Sequence, residues 1–291
     1  LEEAVEEVAD AVRAQMDGAP PDVLFAFVSP HHQGSWTRLP RLLRDQLDGK
    51  LFGCSAGGVI GGGVELEQRP AFSLTAARMP GVTTTIQHLD GRQLPPPTDL
   101  EAWRGIVAAP PGDDTYCVAL GDPFSTNAGA LLAGLDAVTG AGLTIGGVAS
   151  GARAPGGGLL LLEDELASEG IALLTLRGNL RVDSIVAQGC RPIGQPMFVT
   201  SCDNNVLITL DGKSAIPALK ALYDSCDDGD KALFKQSLFL GLVMDAERQT
   251  YGPGDFLIRN ISGMDPKRAG LVTGAVLRTN QVVQFHLRDA A

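Results

Sequence analysis

An internal repeat constrains the fold of this chain more than any other feature of its sequence. Pro30 recurs as Pro123, and Gly53 recurs as Gly146, at the same offset along the chain. In each copy an apolar run leads to the proline, a helical segment follows, and a second apolar run enters a glycine-rich loop. Self-similarity at a fixed spacing identifies the architectural unit of a fold. We therefore expect residues kept in both copies to form the scaffold, and residues of one copy alone to carry function.

The two copies, at about residues 20–92 and 113–192, each predict one long helix and about four strands. One helix covers only one face of such a sheet, so the other face must be buried elsewhere. The strand-like runs of the second copy are apolar at almost every position, which is typical of strands buried on both faces. The sequence therefore predicts an α/β fold of mixed α+β type, with duplicated β-α-β-β-β units packed as an α/β/β/α layered sandwich. Residues 72–79 and 82–88 predict a hairpin.

The pattern changes after about residue 203, where we expect a smaller mixed α/β segment. Ser214 and Pro217 suit the N-cap and the first turn of a helix. An acidic run at 225–230 predicts a solvated loop, because its spacing does not supply the ligands of a calcium loop. Strand-like runs follow it. No metal site is expected in the chain.

Charge and composition exclude several classes of function. The net charge is −11 at pH 7, and the lysines and arginines form no cluster. Such a surface argues against binding to nucleic acids and to anionic membranes. The cysteines show no CxxC spacing, which argues against a disulfide framework or structural zinc and favours a reducing, cytoplasmic location. No apolar run reaches the ~18 residues of a membrane-spanning helix, and nothing in the sequence predicts a cofactor.

Residues 53–57, with the sequence GCSAG, match the G-x-S-x-G pattern of a hydrolase nucleophile. That pattern works when a strand turns sharply into a helix and lifts the serine hydroxyl above the sheet. The next residues are glycine-rich and do not predict a helix. Cys54 could also be a nucleophile, although such a cysteine is more often a small buried apolar residue. A hydrolase that uses Ser55 or Cys54 is therefore the less favoured alternative.

The glycine-rich runs at Gly53, Cys54 and Ser55 and at Gly146 and Gly147 allow two interpretations. Their backbone N–H groups could bind a small anion such as a carboxylate. Alternatively, the glycines permit two strands to cross closely and contact no ligand. The sequence leaves both interpretations open.

Several further residues are candidates for a ligand site. Asp122 directly follows a buried strand, where sites of α/β proteins usually form, and its neighbour Phe124 is included with it. A turn or N-cap role is the alternative for Asp122. Arg191 ends a strand among Gly and Pro and could bind a carboxylate as a fork, or form an ion pair between the copies. Arg259 and Asn260 interrupt an apolar run, so their burial would require a partner.

Several segments, taken together and in order, resemble the FIST family, named for F-box and intracellular signal transduction. The resemblance covers nearly the whole chain. It implies that residues 1–202 form the N-terminal FIST region with both repeats. Residues 203–291 would form a truncated C-terminal region, because family members continue past the position of Ala290. The matching segments are VLFAFV (23–28), GCSAGG (53–58), GDPFS (121–125), IGGVAS (145–150), VAQGCRPIG (186–194), NVLITLDGKSAI (205–216), FLIRNI (256–261) and VQFHLRDA (283–290).

This resemblance implies an intracellular sensory domain that binds a small metabolite, with amino acids as the usual suggestion. We expect Asp122 to pair with a ligand ammonium group, while Arg191 and N–H groups of the glycine-rich runs hold its carboxylate. Family members also occur with signalling modules or an F-box, which implies such a partner outside this chain. A protein-interaction scaffold, similar to a ubiquitin-ligase adaptor, is the main alternative. No catalytic residue is assigned.

Overall fold

The computed structural model describes residues 1–108, 114–140, 142–184, 189–244, 250–252 and 254–288. The chain divides into two compact units, unit 1 over Leu1–Asp183 and unit 2 over Ser184–Ala291. The sequence placed its boundary after residue 202. Of the segments that carry the family resemblance, residues 186–188 and 289–290 lie outside the described residues.

Unit 1 combines short helices with many short strands, so the mixed α+β class is confirmed. Its helices are α1 (Glu2–Gln15), α2 (Leu39–Arg44), α3 (Leu100–Val107) and α4 (Ala128–Asp136), with a 3-10 helix over Pro30–Arg38. Its strands are β1 (Val23–Val28), β2 (Lys50–Ser55), β3 (Gly58–Gly61), β4 (Val64–Glu67), β5 (Phe72–Ala77), β6 (Val82–Leu89), β7 (Tyr116–Gly121), β8 (Thr144–Val148), β9 (Leu160–Leu162), β10 (Glu165–Ala167) and β11 (Ile171–Gly178).

The strands of unit 1 form two main sheets. The first has the order β10-β9-β2-β1-β5, and the second has the order β6-β11-β7-β8. In each sheet a parallel pair, β1 with β2 or β7 with β8, continues into an antiparallel neighbour, β5 or β11. The two sheets thus share a three-strand order, while the duplication itself stays a prediction about the sequence.

The predicted hairpin of residues 72–79 and 82–88 is wrong. β5 pairs with β1 in the first sheet, whereas β6 pairs with β11 in the second. The Pro80-Gly81 turn therefore carries the chain from one sheet to the other. β9 and β10 make the opposite exchange, since they follow β8 in sequence but extend the first sheet beside β2. A local turn signal marks where a strand ends, but it does not determine which sheet the next strand joins.

Three apolar cores lie between the sheets and helices of unit 1. Phe52 of the first sheet and Leu174 of the second belong to one buried cluster between the sheets. α1 and α2 cover the first sheet in a second cluster with Leu24. α3 and α4 cover the second sheet in a third cluster with Leu173. Adjacent residues of β11 thus face different cores, which explains its continuous apolar run. This order of cores is consistent with the expected α/β/β/α layering.

Unit 2 is the mixed α/β segment expected after the repeats. Six of its strands close a ring of antiparallel pairs, in the order β12-β18-β15-β16-β17-β13 and back to β12. Leu207, Leu240 and Phe285 lie in its core, against which both helices pack. Its elements are β12 (Cys190–Asp203), β13 (Val206–Leu210), β14 (Lys213–Ser214), α5 (Ala215–Ser225), α6 (Asp228–Gln236), β15 (Leu238–Val243), β16 (Phe256–Asp265), β17 (Gly270–Thr273) and β18 (Val282–Arg288).

The acidic run at 225–230 is not the loop that its composition suggested. Asp227 is the N-cap of α6, and its side chain accepts a hydrogen bond from Asp230 N–H at 2.7 Å. Asp228 and Asp230 lie in the first turn, where the helix dipole favours negative charge. Ser214 does occupy the N-cap position of α5, as expected. Across the described residues, no helix is long and apolar enough to cross a membrane.

Candidate functional site

The two glycine-rich runs of unit 1 meet at the carboxyl ends of β2 and β8. Gly57 N–H donates to Ser150 Oγ at 3.0 Å. In the opposite direction, Gly151 N–H donates to the carbonyl oxygen of Ser55 at 3.1 Å. The two glycine-rich runs are thus joined by hydrogen bonds in both directions. They lie side by side in unit 1.

Close strand packing accounts for two of the candidate glycines. A Cβ on Gly53 would lie 1.8 Å from the carbonyl oxygen of Ala26, its partner on β1. A Cβ on Gly146 would lie 1.9 Å from the carbonyl oxygen of Ala119, its partner on β7. No side chain fits at either position. Gly147, in contrast, has open space around it on the exposed strand β8.

Asp122 is fixed in place by the residues that follow it. It comes directly after β7, and its side chain is 2% exposed. Its Oδ2 accepts hydrogen bonds from Phe124 N–H at 3.0 Å and from Ser125 Oγ at 2.7 Å. Ser125 Oγ in turn accepts from Gly170 N–H at 2.7 Å. The carboxylate is therefore held in one orientation by the loop that follows β7. Gly170, the residue before β11, fixes the Ser125 hydroxyl that bonds it.

Oδ1, the second oxygen of Asp122, is buried and has no hydrogen-bond partner among the residues that the structure describes. Trp36 Nε1, Thr115 Oγ1 and Thr144 Oγ1 are in the same condition, but Oδ1 is the carboxylate oxygen among the four. A buried, unpaired carboxylate oxygen destabilises the fold, because it gives up its hydrogen bonds to water and gains none within the protein. Arg92 lies within electrostatic reach, but its guanidinium hydrogen-bonds Glu169, and this bond is the main reason that the pKa of Arg92 is raised. Asp122 Oδ1 thus remains open to a donor.

Ser55 brings a hydroxyl close to this carboxylate oxygen. A Cβ placed on Gly158 would lie 3.8 Å from Asp122 Oδ1 and 3.8 Å from Ser55 Oγ. The two oxygens are therefore no farther apart than twice that distance. A Cβ on Gly151 would lie only 2.5 Å from Ser55 Oγ. The backbone at Gly151 therefore packs directly against Ser55, whereas a methyl group at Gly158 would be in ordinary contact with both oxygens.

The geometry does not support a hydrolase at Ser55 or Cys54. Ser55 is fully buried, its Oγ accepts a hydrogen bond from Leu159 N–H at 3.0 Å, and β3 follows it in place of a helix. Among the described residues, no histidine hydrogen-bonds to it. Burial raises the pKa of the Cys54 thiol to about 12, which disfavours the thiolate. Both residues are part of the packed end of β2.

The structure gives less support to the other candidate residues as ligand contacts. Phe124 is 43% exposed and contributes its N–H to Asp122. Arg191, in unit 2, forms an ion pair with Asp230 of α6, which is an ion pair within unit 2 and not the one between the copies that was the alternative. Arg259 is half-buried, and its guanidinium donates to the carbonyl oxygen of Ile258. Asn260 is exposed on β16.

Sequence reasoning missed Ser125 and the glycines that open the site. Ser125 follows Asp122 by three residues, a spacing at which a hydroxyl often meets a carboxylate in a turn. Gly158 belongs to a run of three glycines, which marked it only as part of a loop. Its role depends on the crossing of the two sheets, and no local pattern shows that. The described residues contain no cluster of side chains that could hold a metal ion.

Comparison with known proteins confirms the family resemblance. The family model described as FIST N domain matches residues 22–213, which include Ser55, Asp122 and Gly158. The chain belongs to the FIST family. In general terms, this FIST protein is a sensory module of signal transduction. The matched region also extends beyond unit 1, through β12 and β13 of unit 2 to Lys213, the first residue of β14.

Relatives of this FIST chain occur in mycobacteria. An uncharacterized protein of Mycobacterium tuberculosis is 30% identical over 289 residues, which cover 99% of this chain and 74% of the relative. An uncharacterized protein of Mycobacterium bovis is 27% identical over 290 residues, which cover 99% of this chain and 73% of the relative. The similarity therefore includes both units of the FIST chain.

Proposed function

We propose that this FIST protein is a sensory module that binds a small metabolite through an ammonium group, an amino acid being the simplest such ligand. The observation that carries the proposal is Asp122, a 2% exposed carboxylate with an unpaired oxygen. A ligand ammonium group that donates to Oδ1 would supply the missing partner and the opposite charge. Charge-assisted hydrogen bonds of this kind are about twice as strong as neutral ones.

Ser55 supplies a second contact for the same ligand. Its hydroxyl accepts a bond from Leu159 N–H, while its own proton enters no hydrogen bond between described residues. A serine hydroxyl donates one hydrogen bond in addition to those it accepts. Ser55 can therefore donate to a ligand carboxylate or carbonyl next to the ammonium group. Asp122 and Ser55 together would recognise the two ends of an α-amino acid head group.

The ligand must pass a glycine-rich segment to reach these groups. Gly151 and Gly158 are the ends of this segment and lie beside Ser55 and Asp122, and residues 153–156 within it are exposed. Short glycine-rich segments with exposed backbone open at low free-energy cost. We infer that ligand entry displaces this segment and that binding fixes it again. This change of loop order is the signal that a partner module outside the chain would detect.

The proposal depends on Asp122 and Ser55 and not on the candidates in unit 2. Arg191 already pairs with Asp230, so it would have to leave this partner to hold a ligand carboxylate. Gly147, in unit 1, stays a candidate for a contact with the rest of this ligand. Arg259 and Asn260 belong to unit 2 and have no part in this proposal.

A thermal-shift screen against amino acids and simple amines tests the proposal. A ligand at a hundred times its Kd stabilises the folded state by about 2.7 kcal/mol. We expect a selective hit to stabilise the wild type and Asp48→Asn, an exposed control in the same unit. Asp122→Asn keeps the shape of the side chain but removes its charge, and it should lose the response. An equal response from Asp122→Asn, or no hit among compounds with an ammonium group, contradicts the proposal.

One observation favours the alternative of an interaction scaffold. In the first sheet, β9 covers the outer edge of β2. The matching strand of the second sheet, β8, is an edge strand among the described residues, and its residues Ile145 and Val148 are 40% and 52% exposed. Uncovered apolar edges accept strands from other proteins. A peptide-display selection would test this: strands that bind the wild type should not bind Ile145→Lys, whereas equal binding to both contradicts an edge site.

A further inference from the structure

The strand exchange leaves a space beside β5. Because β6 crosses into the second sheet, β5 forms the edge of the first. The hairpin of β3 and β4 lies next to this edge without joining the sheet. It is attached through the Ser73 hydroxyl, which donates to the carbonyl oxygen of Ile60 at 2.9 Å. The hairpin therefore lies beside the edge of β5, but neither of its strands pairs with β5.

A cavity of about 490 Å³ lies between α1, this hairpin and β5. Cavities that bind small molecules have volumes of roughly 300–1,000 Å³ and are mostly apolar with a few polar groups. The volume between α1, β3–β4 and β5 thus belongs to the range of ligand sites.

Most side chains of the cavity lining are apolar, and one side chain, that of Glu7, is acidic. Val12, Leu66 and Leu74 represent the apolar wall, one from each of the three elements. Glu7 is the charged residue that α1 contributes to the lining, and it is exposed. Glu3, about one helical turn before it on α1, is also exposed, whereas Glu2 is paired with Arg38. An anionic head group would be repelled here, whereas a cationic one would be attracted.

We propose that this cavity is a second ligand site, which takes an apolar chain that carries a cationic head group. The chain lies between α1 and β5, under the hairpin. The head group lies at the rim, beside Glu7. This site is separate from the Asp122–Ser55 site, since the two have no lining residue in common.

Binding of decylamine, measured by isothermal titration and by thermal shift, tests the proposal. Ala11→Leu is the blocking variant, because Ala11 lines the cavity but is exposed, and leucine keeps a high helix propensity. Ala14→Leu is the matched control, exposed on the same helix and outside the lining. We expect saturable binding to the wild type and Ala14→Leu, and at least a tenfold loss in Ala11→Leu. Equal binding to all three proteins, or no binding to the wild type, overturns the proposal.

The head-group preference has its own test. Wild type should prefer decylamine to decanol and should bind decanoate least. Glu7→Gln should reduce the preference for decylamine over decanol, while Glu6→Gln, on the same helix but outside the lining, should keep it. An unchanged preference in Glu7→Gln contradicts the role of Glu7. Asp122→Asn should bind decylamine as the wild type does, because Asp122 does not line this cavity. Decylamine binding therefore tests the cavity alone, and its outcome does not depend on the Asp122–Ser55 site.

Discussion

The carboxylate of Asp122 and the hydroxyl of Ser55 face one point in unit 1, although their strands belong to different sheets. Asp122 follows β7 of the second sheet, and Ser55 ends β2 of the first. Both oxygens lie 3.8 Å from the position of a Cβ on Gly158. Each sheet therefore supplies one polar group, and the pair exists only when the sheets are packed together.

Replacing Gly158 by alanine should block the site with little effect on stability. The new methyl group would be in ordinary contact with both polar oxygens and in tighter contact, at 3.3 Å, with Ala152 Cβ. Loss of glycine entropy in the unfolded chain offsets part of this crowding. We expect a change of within about 1 kcal/mol in the free energy of unfolding, measured in urea, and loss of the ligand-induced thermal shift. A full thermal shift in Gly158→Ala would show that the ligand lies elsewhere.

Two neighbouring glycines of β8 should respond differently to alanine. A Cβ on Gly146 would meet the Ala119 carbonyl oxygen at 1.9 Å, whereas Gly147 has nothing within 4 Å. The strands must move apart in Gly146→Ala, and we expect a loss of about 3 kcal/mol or more. Gly147→Ala should change stability by less than about 1 kcal/mol. Urea unfolding of the two variants decides, and similar stabilities would contradict the close crossing of β7 and β8.

The cysteines should differ sharply in their reaction with iodoacetamide. Burial raises the pKa values of the Cys54 and Cys117 thiols to about 12 in each case. Cys190, Cys202 and Cys226 are partly exposed. In the folded protein at pH 8, mass spectrometry should find alkylation at these three positions and none at the buried pair until urea is added. Rapid labelling of Cys54 in the folded protein would revive its candidacy as a nucleophile.

His286 should make unit 2 less stable at mildly acidic pH. Burial lowers the pKa of this imidazole below its ordinary value of 6.5, and the ring packs on Phe256 at 4.9 Å. As the pH falls through 6.5, the unfolded state takes up the proton first, so the free energy of unfolding decreases. The slope is at most about 1.4 kcal/mol per pH unit for one proton. Hydrogen exchange of β18 amides between pH 7.5 and 5.5 measures this pH dependence of the free energy of unfolding. His286→Gln should remove the part of the slope that is due to the imidazole.

Local patterns were sufficient for much of the fold. The apolar runs of β1, β7 and β11 predicted buried strands, and Asp122 was identified because it follows such a strand. The hairpin of residues 72–79 and 82–88 was wrong, because the partner of β6 is distant in sequence. The acidic run was taken for a loop, although Asp227 begins a helix there. In both cases the outcome depends on what the segment packs against.

The candidate site was predictable only in part for the same reason. Asp122 and Ser55 were both candidates, but their approach depends on the packing of two sheets. Gly53 and Gly146 were expected to be either ligand contacts or strand crossings, and their surroundings account for them as crossings. Arg191 was expected near a ligand, yet its partner is Asp230 of α6.

The exchange of β6 for β9 and β10 makes the two halves of unit 1 depend on each other during folding and during evolution. If the chain were divided near residue 108, one half would lose β9 and β10 from its sheet, and the other would lose β6. Neither half could form its complete sheet without strands from the other. Two halves that exchange strands in this way must stay in one chain, and each can diverge in its loops while the other keeps its strands in place.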